Sequence, residues 1–140
     1  MDRLIADTGF LVAFGRSADP LHRKAASFLR GYAGGLVTVA PVIVETSFFL
    51  TPQAKVRLIG WIASGGISVV DVPVTSYPDL GAIITKYADR DIDFADAALV
   101  WLANQAGLRG ILTTDETDFG VYRLSGGKRF ELMNWLQIAD

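Results

Sequence analysis

Four acidic residues, spread over more than a hundred positions, each stand where an apolar strand ends or a helix begins: Asp7, Glu45, Asp96 and Asp115. In an open parallel sheet the carboxyl ends of the strands line the crevice where ligands bind, so we expect these side chains to meet there. Carboxylates gathered in one place repel one another, and their pKa values rise unless a cation neutralises them. Oxygen ligands in a chain without cysteine favour Mg²⁺ or Mn²⁺, ions that often serve displacement at phosphorus by activating water.

Each acid also has an ordinary structural explanation. Asp7 lies between a strand and a helix, where Asp or Thr commonly caps free amide groups. Glu45 lies one turn into a helix that begins at Pro41, among apolar residues, and an acid there is costly to bury unless it is paired or binds a metal. Asp93 fits a helix cap or an auxiliary ligand, whereas Asp96 falls in the first turn before two small alanines, which favours a functional role.

The segment 113–119 contains the last candidates. Asp115 ends a strand and is the predicted ligand, whereas Asp118 is predicted to cap the turn that places Phe119 in the core. The hydroxyls of Thr8 and Thr114 are suited to hold the ligating carboxylates in place.

The elements that must position these residues alternate along the chain. Periodicity predicts strands at 3–7, 36–39, 67–71 and 110–114 and one or two short strands near the end. It predicts helices at 9–15, 20–33, 41–50, 53–64, 76–89 and 94–106. This alternation indicates an α/β fold whose mostly parallel, twisted sheet of four or five strands is flanked by helices.

Composition limits the class of protein. A chain of 140 residues that is 51% hydrophobic fits a single domain over 1–140. The start is too short and too acidic for a signal peptide, and the longest uncharged stretch, 31–44, is too short to span a bilayer. We therefore expect a protein of the reducing cytoplasm with no membrane segment.

Charge and hydropathy point to partners. The net charge is −2, with 13 basic and 15 acidic residues, and setting aside the four proposed ligands leaves a surplus of two bases, so nucleic acid is an admissible partner. Six basic residues are candidates for gripping it: Arg16, Arg23, Lys24, Lys86, Arg90 and Arg123. The mean hydropathy of +0.33 and the apolar stretches 42–50 and 58–62 favour tight packing, an oligomer or a protein partner.

The motifs resemble those of a known family. They are Asp7-Thr8-Gly9, the segment from Pro41 to Glu45, Tyr87-Ala88-Asp89 leading into Asp93-Phe94-Ala95-Asp96-Ala97, and Thr113-Thr114-Asp115 with Asp118-Phe119. In order and spacing, over essentially the whole chain, this set resembles the PIN-domain ribonucleases and most of all the VapC-type toxins of type II toxin-antitoxin pairs.

The resemblance implies a compact PIN-like fold, a Mg²⁺ or Mn²⁺ site and endonucleolytic hydrolysis of RNA by metal-activated water. It also implies that Asp7, Glu45, Asp96 and Asp115 form the acidic quartet, with Asp93 an occasional auxiliary acid. Family toxins commonly form homodimers and are held inactive by a small antitoxin whose tail enters the acidic groove. One departure is Gly9, which stands where many relatives have Ser and leaves Thr8 as the expected substitute.

Other functions fit the residues less well. The single histidine, His22, is expected to be a solvated surface residue, which excludes catalysis by paired histidines. A phospho-receiver-like signalling domain would need an adjacent acidic pair early in the chain and a lysine after a late strand, where this chain has Asp115. A HAD-type phosphatase would need an acid at position 9, which is Gly. A PIN domain that only binds, or one that processes RNA without a toxin role, stays open.

Overall fold

A parallel sheet lies at the centre of the fold. Its strands are β1 (Arg3–Ala6), β2 (Gly35–Val39), β3 (Ser68–Val70), β4 (Gly110–Leu112) and β5 (Glu131–Leu132). In the computed structural model, which describes residues 2–139, these strands form one sheet in the order β3-β2-β1-β4-β5, and each neighbouring pair is parallel. The predicted α/β class, with four or five mostly parallel strands flanked by helices, is confirmed.

Helices connect the strands and cover the sheet: α1 (Thr8–Gly15), α2 (His22–Gly31), α3 (Ala40–Ser47), α4 (Pro52–Ala63), α5 (Tyr77–Lys86), α6 (Phe94–Ala106) and α7 (Glu116–Val121). The bounds follow local chemistry. Side chains of Asp7, Thr51 and Asp93 accept hydrogen bonds from the first turns of α1, α4 and α6. Gly107, whose φ of 66° favours glycine, ends α6.

Three parts of the sequence fold differently from the predictions. The predicted helix 41–50 ends at Ser47, and the helix predicted over 76–89 ends at Lys86, before a separate 3₁₀ turn at Ala88–Arg90. Helix α7 was not predicted, because six residues are too few to show helical periodicity.

The arrangement places the ends of β1 and β4 side by side. Ala6 pairs with Leu112, and the amide of Asp7 donates to the carbonyl of Leu112 at 2.9 Å. Helix α6 passes close by, and its residues 97–103 are all buried, because small alanines let the helix approach its neighbours closely. Among the described residues, no helix has the length and apolarity needed to cross a bilayer.

Candidate metal centre

The acidic residues predicted from the sequence come from four elements that converge at the carboxyl edge of the sheet. Asp7 directly follows β1, and Asp115 lies between β4 and α7. Asp96 is in the first turn of α6, and Glu45 is in α3, which begins where β2 ends. These are the positions at which parallel α/β sheets gather ligand-binding groups.

Asp7 is the most deeply buried of these acids, with 7% of its surface exposed. The amide of Thr8 donates to its Oδ1 at 2.7 Å, and the hydroxyl of Thr113 donates to its Oδ2 at 2.8 Å. Burial raises the pKa of Asp7 to about 6, against the effect of these two hydrogen bonds, and the charges of Glu45 and Asp115 add to the rise. Asp7 is thus a carboxylate whose negative charge is costly unless a cation lies nearby.

Glu45 is tied to the same group through Thr8. The hydroxyl of Thr8 donates to Oε1 of Glu45 at 2.9 Å, while the Thr8 amide holds Asp7. One residue in the first turn of α1 thereby orients two carboxylates from different elements.

Asp96 is fixed by an aromatic residue that the sequence analysis did not consider. The hydroxyl of Tyr122 donates to Oδ2 of Asp96 at 2.8 Å. Burial raises the pKa of Asp96 to about 8, and the charges of Asp7 and Asp93 contribute, while the Tyr122 hydrogen bond opposes the rise. Asp93 itself is exposed and caps α6, accepting from the Asp96 amide at 2.8 Å.

At the start of α7 the capping residue is Asp115, whereas the sequence predicted that Asp118 would cap this turn. The Asp115 side chain caps the helix by accepting from the Asp118 amide at 2.9 Å. The Asp118 carboxylate instead pairs with the guanidinium of Arg90 at 2.9 Å, and this bond raises the pKa of Arg90.

One carboxylate oxygen from each of Asp96, Asp115 and Asp118 lies within 4.8 Å of the other two. Burial raises the pKa of Asp115.

The two threonines after β4 differ from the expectation. Thr113, not Thr114, holds Asp7, and its hydroxyl also accepts from the Asp115 amide at 2.9 Å. Thr114 is exposed and faces Gly9: a Cβ at position 9 would lie 2.1 Å from Oγ1 of Thr114. Gly9 and Thr114 therefore share a space that cannot hold a side chain from both.

Several of the basic residues predicted to contact RNA form hydrogen bonds or an ion pair within the protein. Arg90 pairs with Asp118, and one nitrogen of the Arg123 guanidinium donates to the carbonyls of residues 120, 121 and 122. Lys24 donates to the carbonyl of Ile138. His22, expected to be solvated, is partly buried, with Nδ1 2.9 Å from the carbonyl oxygen of Ala13.

The donor set fits a divalent cation. All the donors are carboxylate oxygens, which suit hard ions, and two of the acids have pKa values raised mainly by burial. The cluster of Asp96, Asp115 and Asp118 has the spacing of a shared ligand set. A bound cation would offset both the burial and the mutual repulsion of these groups.

No protein-family model matches the chain. Ribonuclease VapC26 of Mycobacterium tuberculosis is 30% identical over 134 residues, which cover 93% of this chain and 99% of that protein. The crystal structure of Mycobacterium tuberculosis VapC20, a Sarcin-Ricin loop cleaving toxin, superimposes with a TM-score of 0.73 at 19% identity, covering 81% of this chain and 91% of VapC20. A toxin-antitoxin complex from Klebsiella pneumoniae contains a chain with a TM-score of 0.63 at 15% identity, covering 96% of this chain and 99% of that one.

The sheet order and the carboxylates at its edge define a PIN-like α/β domain. Within that class, the similarity to VapC26 over nearly the full length of both proteins shows that the chain belongs to the VapC family of ribonucleases.

Proposed function

We propose that this protein is a Mg²⁺- or Mn²⁺-dependent endoribonuclease that acts in the cytoplasm as the toxin of a toxin-antitoxin pair. The observation that supports this most is that four elements bring carboxylates to one edge of the sheet. Thr8 bonds both Asp7 and Glu45 there, and oxygens of Asp96, Asp115 and Asp118 lie within 4.8 Å of one another. The relative VapC26 is a ribonuclease, which supports the same reaction class.

Some residues of the site are proposed to bind the ion, and others to orient those ligands. Asp7, Glu45, Asp96 and Asp115 would hold the ion. Asp118 lies close enough to share it with Asp96 and Asp115, and exposed Asp93 is at most an auxiliary ligand. When bound, such a cation neutralises charge on a phosphate and lowers the pKa of an attacking water. Thr8, Thr113 and Tyr122 hold the carboxylates in fixed orientations, and no protein nucleophile is needed.

A groove leads away from this edge and supports an RNA-binding role. It measures about 540 Å³ and is lined by residues that include Thr8, Gly9, Arg16, Phe49 and Thr114. Exposed Arg16 can meet phosphate there, and Phe49, 59% exposed, offers a ring on which a base can stack. We therefore place the substrate strand along this groove.

The decisive experiment is cleavage of defined RNAs by the purified protein with Mg²⁺, with Mn²⁺ and with EDTA. We expect fragments only with a divalent cation and none from the Asp7→Asn and Asp96→Asn variants, each shown to be folded by circular dichroism. Asp89→Asn, an exposed acid outside the quartet, is the matched control and should cleave normally. Uncut RNA under every cation would refute the nuclease assignment.

An apolar surface on α4 and the turn before it supports an antitoxin partner. Phe48, Phe49, Val56 and Ile59 are each more than half exposed, which is unusual for large apolar side chains so close together. Beside them lies a hollow of about 260 Å³ lined by residues of α1 and α4 that include Trp61. We propose that an apolar helix of the antitoxin packs on this surface and that its tail continues along the groove to the carboxylates.

A second apolar surface supports a homodimer. Val44, Tyr77 and Phe94 are exposed around a groove of about 370 Å³ between α3, α5 and the start of α6. The rings of Tyr77 and Phe94 meet at 5.9 Å, edge to face, and form a rigid feature that a second copy can cover.

Two surface variants test the partner assignments, and each is the control for the other. Val56→Glu should abolish capture of the protein encoded by an adjoining small reading frame and leave the dimer intact. Tyr77→Glu should leave antitoxin capture intact and yield a monomer by light scattering. If wild-type expression does not slow growth and no such reading frame adjoins, the enzyme is better described as an RNA-processing nuclease.

A further inference from the structure

Tyr122 is a buried tyrosine whose hydroxyl reaches the candidate metal centre from outside the acidic set. It follows the last residue of α7 and is 1% exposed. Its ring packs edge-on against Tyr87 at 5.0 Å and Phe119 at 5.2 Å. Phe119 in turn packs against Phe130 at 5.3 Å, so the Tyr122 ring is held by the aromatic core.

The fixed ring fixes the hydroxyl. It donates to Oδ2 of Asp96 at 2.8 Å, across 26 residues of sequence. A carboxylate on a short side chain can rotate about its final bond, and one strong hydrogen bond to one oxygen removes that freedom. With Oδ2 held, both oxygens of Asp96 keep fixed directions, and one of them lies within 4.8 Å of a carboxylate oxygen of each of Asp115 and Asp118.

Tyr87 shows that a buried tyrosine in this core need not bond to a carboxylate. Tyr87 is also buried, and its hydroxyl accepts from the backbone amide of Arg123 at 2.7 Å. Both tyrosines satisfy their hydroxyls, as buried tyrosines usually do, but the partner of one is a carboxylate and that of the other is backbone. Comparing variants of Tyr87 and Tyr122 therefore distinguishes a structural role from a role in the metal centre.

We propose that Tyr122 is a positioning residue that locks the Asp96 carboxylate in the orientation needed to bind the cation. The inference rests on the proposed function, because it presupposes that Asp96 is a ligand. In this role Tyr122 acts through its hydrogen bond to Asp96.

The test is Mn²⁺ binding to the full chain without RNA, followed by electron paramagnetic resonance, for the wild type, Tyr122→Phe, Tyr87→Phe and Asp96→Asn. Removing a group that orients a metal ligand typically weakens metal binding by about 10- to 100-fold, and we expect this for Tyr122→Phe. Tyr87→Phe should lower stability comparably and leave Mn²⁺ affinity within about twofold of wild type. In the Asp96→Asn background, Tyr122→Phe should cause no further loss, because the two groups act as one unit.

A second measurement does not depend on the stability of a variant. With 3-fluorotyrosine at position 122, the fluorine resonance should move when Mg²⁺ is added, whereas the same label at position 87 should move far less. An unchanged resonance at position 122, or wild-type Mn²⁺ affinity in Tyr122→Phe, would overturn the inference. If Asp96→Asn loses Mn²⁺ while Tyr122→Phe keeps it, only the positioning role fails. If the wild type itself binds no Mn²⁺, the proposed function fails with it.

Discussion

The hydroxyl of Thr113 donates to Oδ2 of Asp7 at 2.8 Å, joining the ends of two adjacent strands. Ala6 pairs with Leu112 across the two strands. Asp7 follows Ala6 and Thr113 follows Leu112, so the pairing brings these two side chains together. The same hydroxyl accepts from the Asp115 amide, so one buried threonine links two of the proposed ligands.

Replacing Thr113 by Val keeps the shape of the side chain and removes both hydrogen bonds. We expect a loss of about 1–3 kcal/mol in the free energy of unfolding, because the Asp115 amide loses its partner and Asp7 loses a donor. Mn²⁺ affinity should fall about tenfold or more, because Asp7 keeps only the Thr8 amide to orient it. Denaturant unfolding and Mn²⁺ titration measure the two effects.

Thr38→Val is the control for this variant. Thr38 is also buried on the sheet, and its hydroxyl donates to the carbonyl of Ala6 at 2.7 Å rather than to an acid. It should lose stability without losing Mn²⁺ affinity. Equal losses of metal affinity in the two variants would show that the Thr113 contact has no special role.

The stability of the metal-free protein should fall as the pH rises. Asp96 has a pKa of about 8 in the fold against 3.8 when unperturbed, and Asp7 has about 6 against 3.8. Between 3.8 and about 8 the folded state therefore binds more protons than the unfolded chain, so the free energy of unfolding decreases through this interval. For Asp7 the rise corresponds to at most about 3 kcal/mol.

Thermal unfolding in EDTA across this pH range measures the effect. The Asp96→Asn variant should lose less stability than the wild type toward the alkaline end, because it carries no charge to bury. Mg²⁺ should raise the melting temperature of the wild type most where the acids are ionised. A wild type that is equally stable at both ends of the interval, with Asp96→Asn unchanged, would contradict the prediction.

Asp118 should act as a metal ligand that Arg90 partly neutralises. Asp118→Asn keeps the backbone amide of residue 118, which donates to the capping side chain of Asp115. The substitution removes a negative charge from the cluster, so Mn²⁺ should bind more weakly. Arg90→Gln removes a cation beside the site and should strengthen Mn²⁺ binding by about two- to fivefold. Isothermal titration calorimetry would resolve both changes.

Asp79→Asn is the control here, because Asp79 is an exposed acid in α5 that belongs neither to the cluster nor to the ion pair. It should leave Mn²⁺ affinity unchanged. Wild-type affinity in Asp118→Asn would assign Asp118 to the ion pair with Arg90 alone.

Gly9→Ala should destabilise the protein although the substitution lies in a helix. Helix propensity alone favours Ala over Gly by about 1 kcal/mol. The new Cβ would lie 2.1 Å from Oγ1 of Thr114, so we expect a net loss of about 1–3 kcal/mol by denaturant unfolding. Adding Thr114→Ala should restore part of this loss, leaving a 3.0 Å approach to Cβ of residue 114.

Gly81→Ala is the control for that pair. Gly81 lies in α5, and a Cβ there would meet no atom within 4 Å, so this variant should be stabilised. If Gly9→Ala is as stable as Gly81→Ala, then Thr114 turns away without cost and the steric argument fails.

The sequence predicted most of the strands and helices because each leaves a local signal. Alternation of apolar runs identified β1, β2 and β4, and the proline and glycine positions marked most helix bounds within a few residues. Helix α7 left no such signal, because it spans six residues, includes a glycine and begins among threonines and acids. The segment was therefore expected to be a turn, capped by Asp118, before the terminal strands.

Strand ends and helix starts also identified Asp7, Asp96 and Asp115, because a parallel sheet brings its carboxyl ends together whatever its strand register. The contacts between these acids and their holders depend on the register. A shift of one residue between β1 and β4 would place Thr114 instead of Thr113 beside Asp7. The register of these two strands could not be predicted from the sequence.

What the sequence determined, then, is the α/β class and the place where charge must collect, since both follow from periodicities a few residues long. Only the tertiary structure decided that Tyr122 holds Asp96, that Arg90 pairs with Asp118, and that Gly9 leaves room for Thr114. These pairs lie between 26 and 105 positions apart in the chain. Their contacts arise because the packing of the whole core fixes which side chains meet, and no local pattern carries that information.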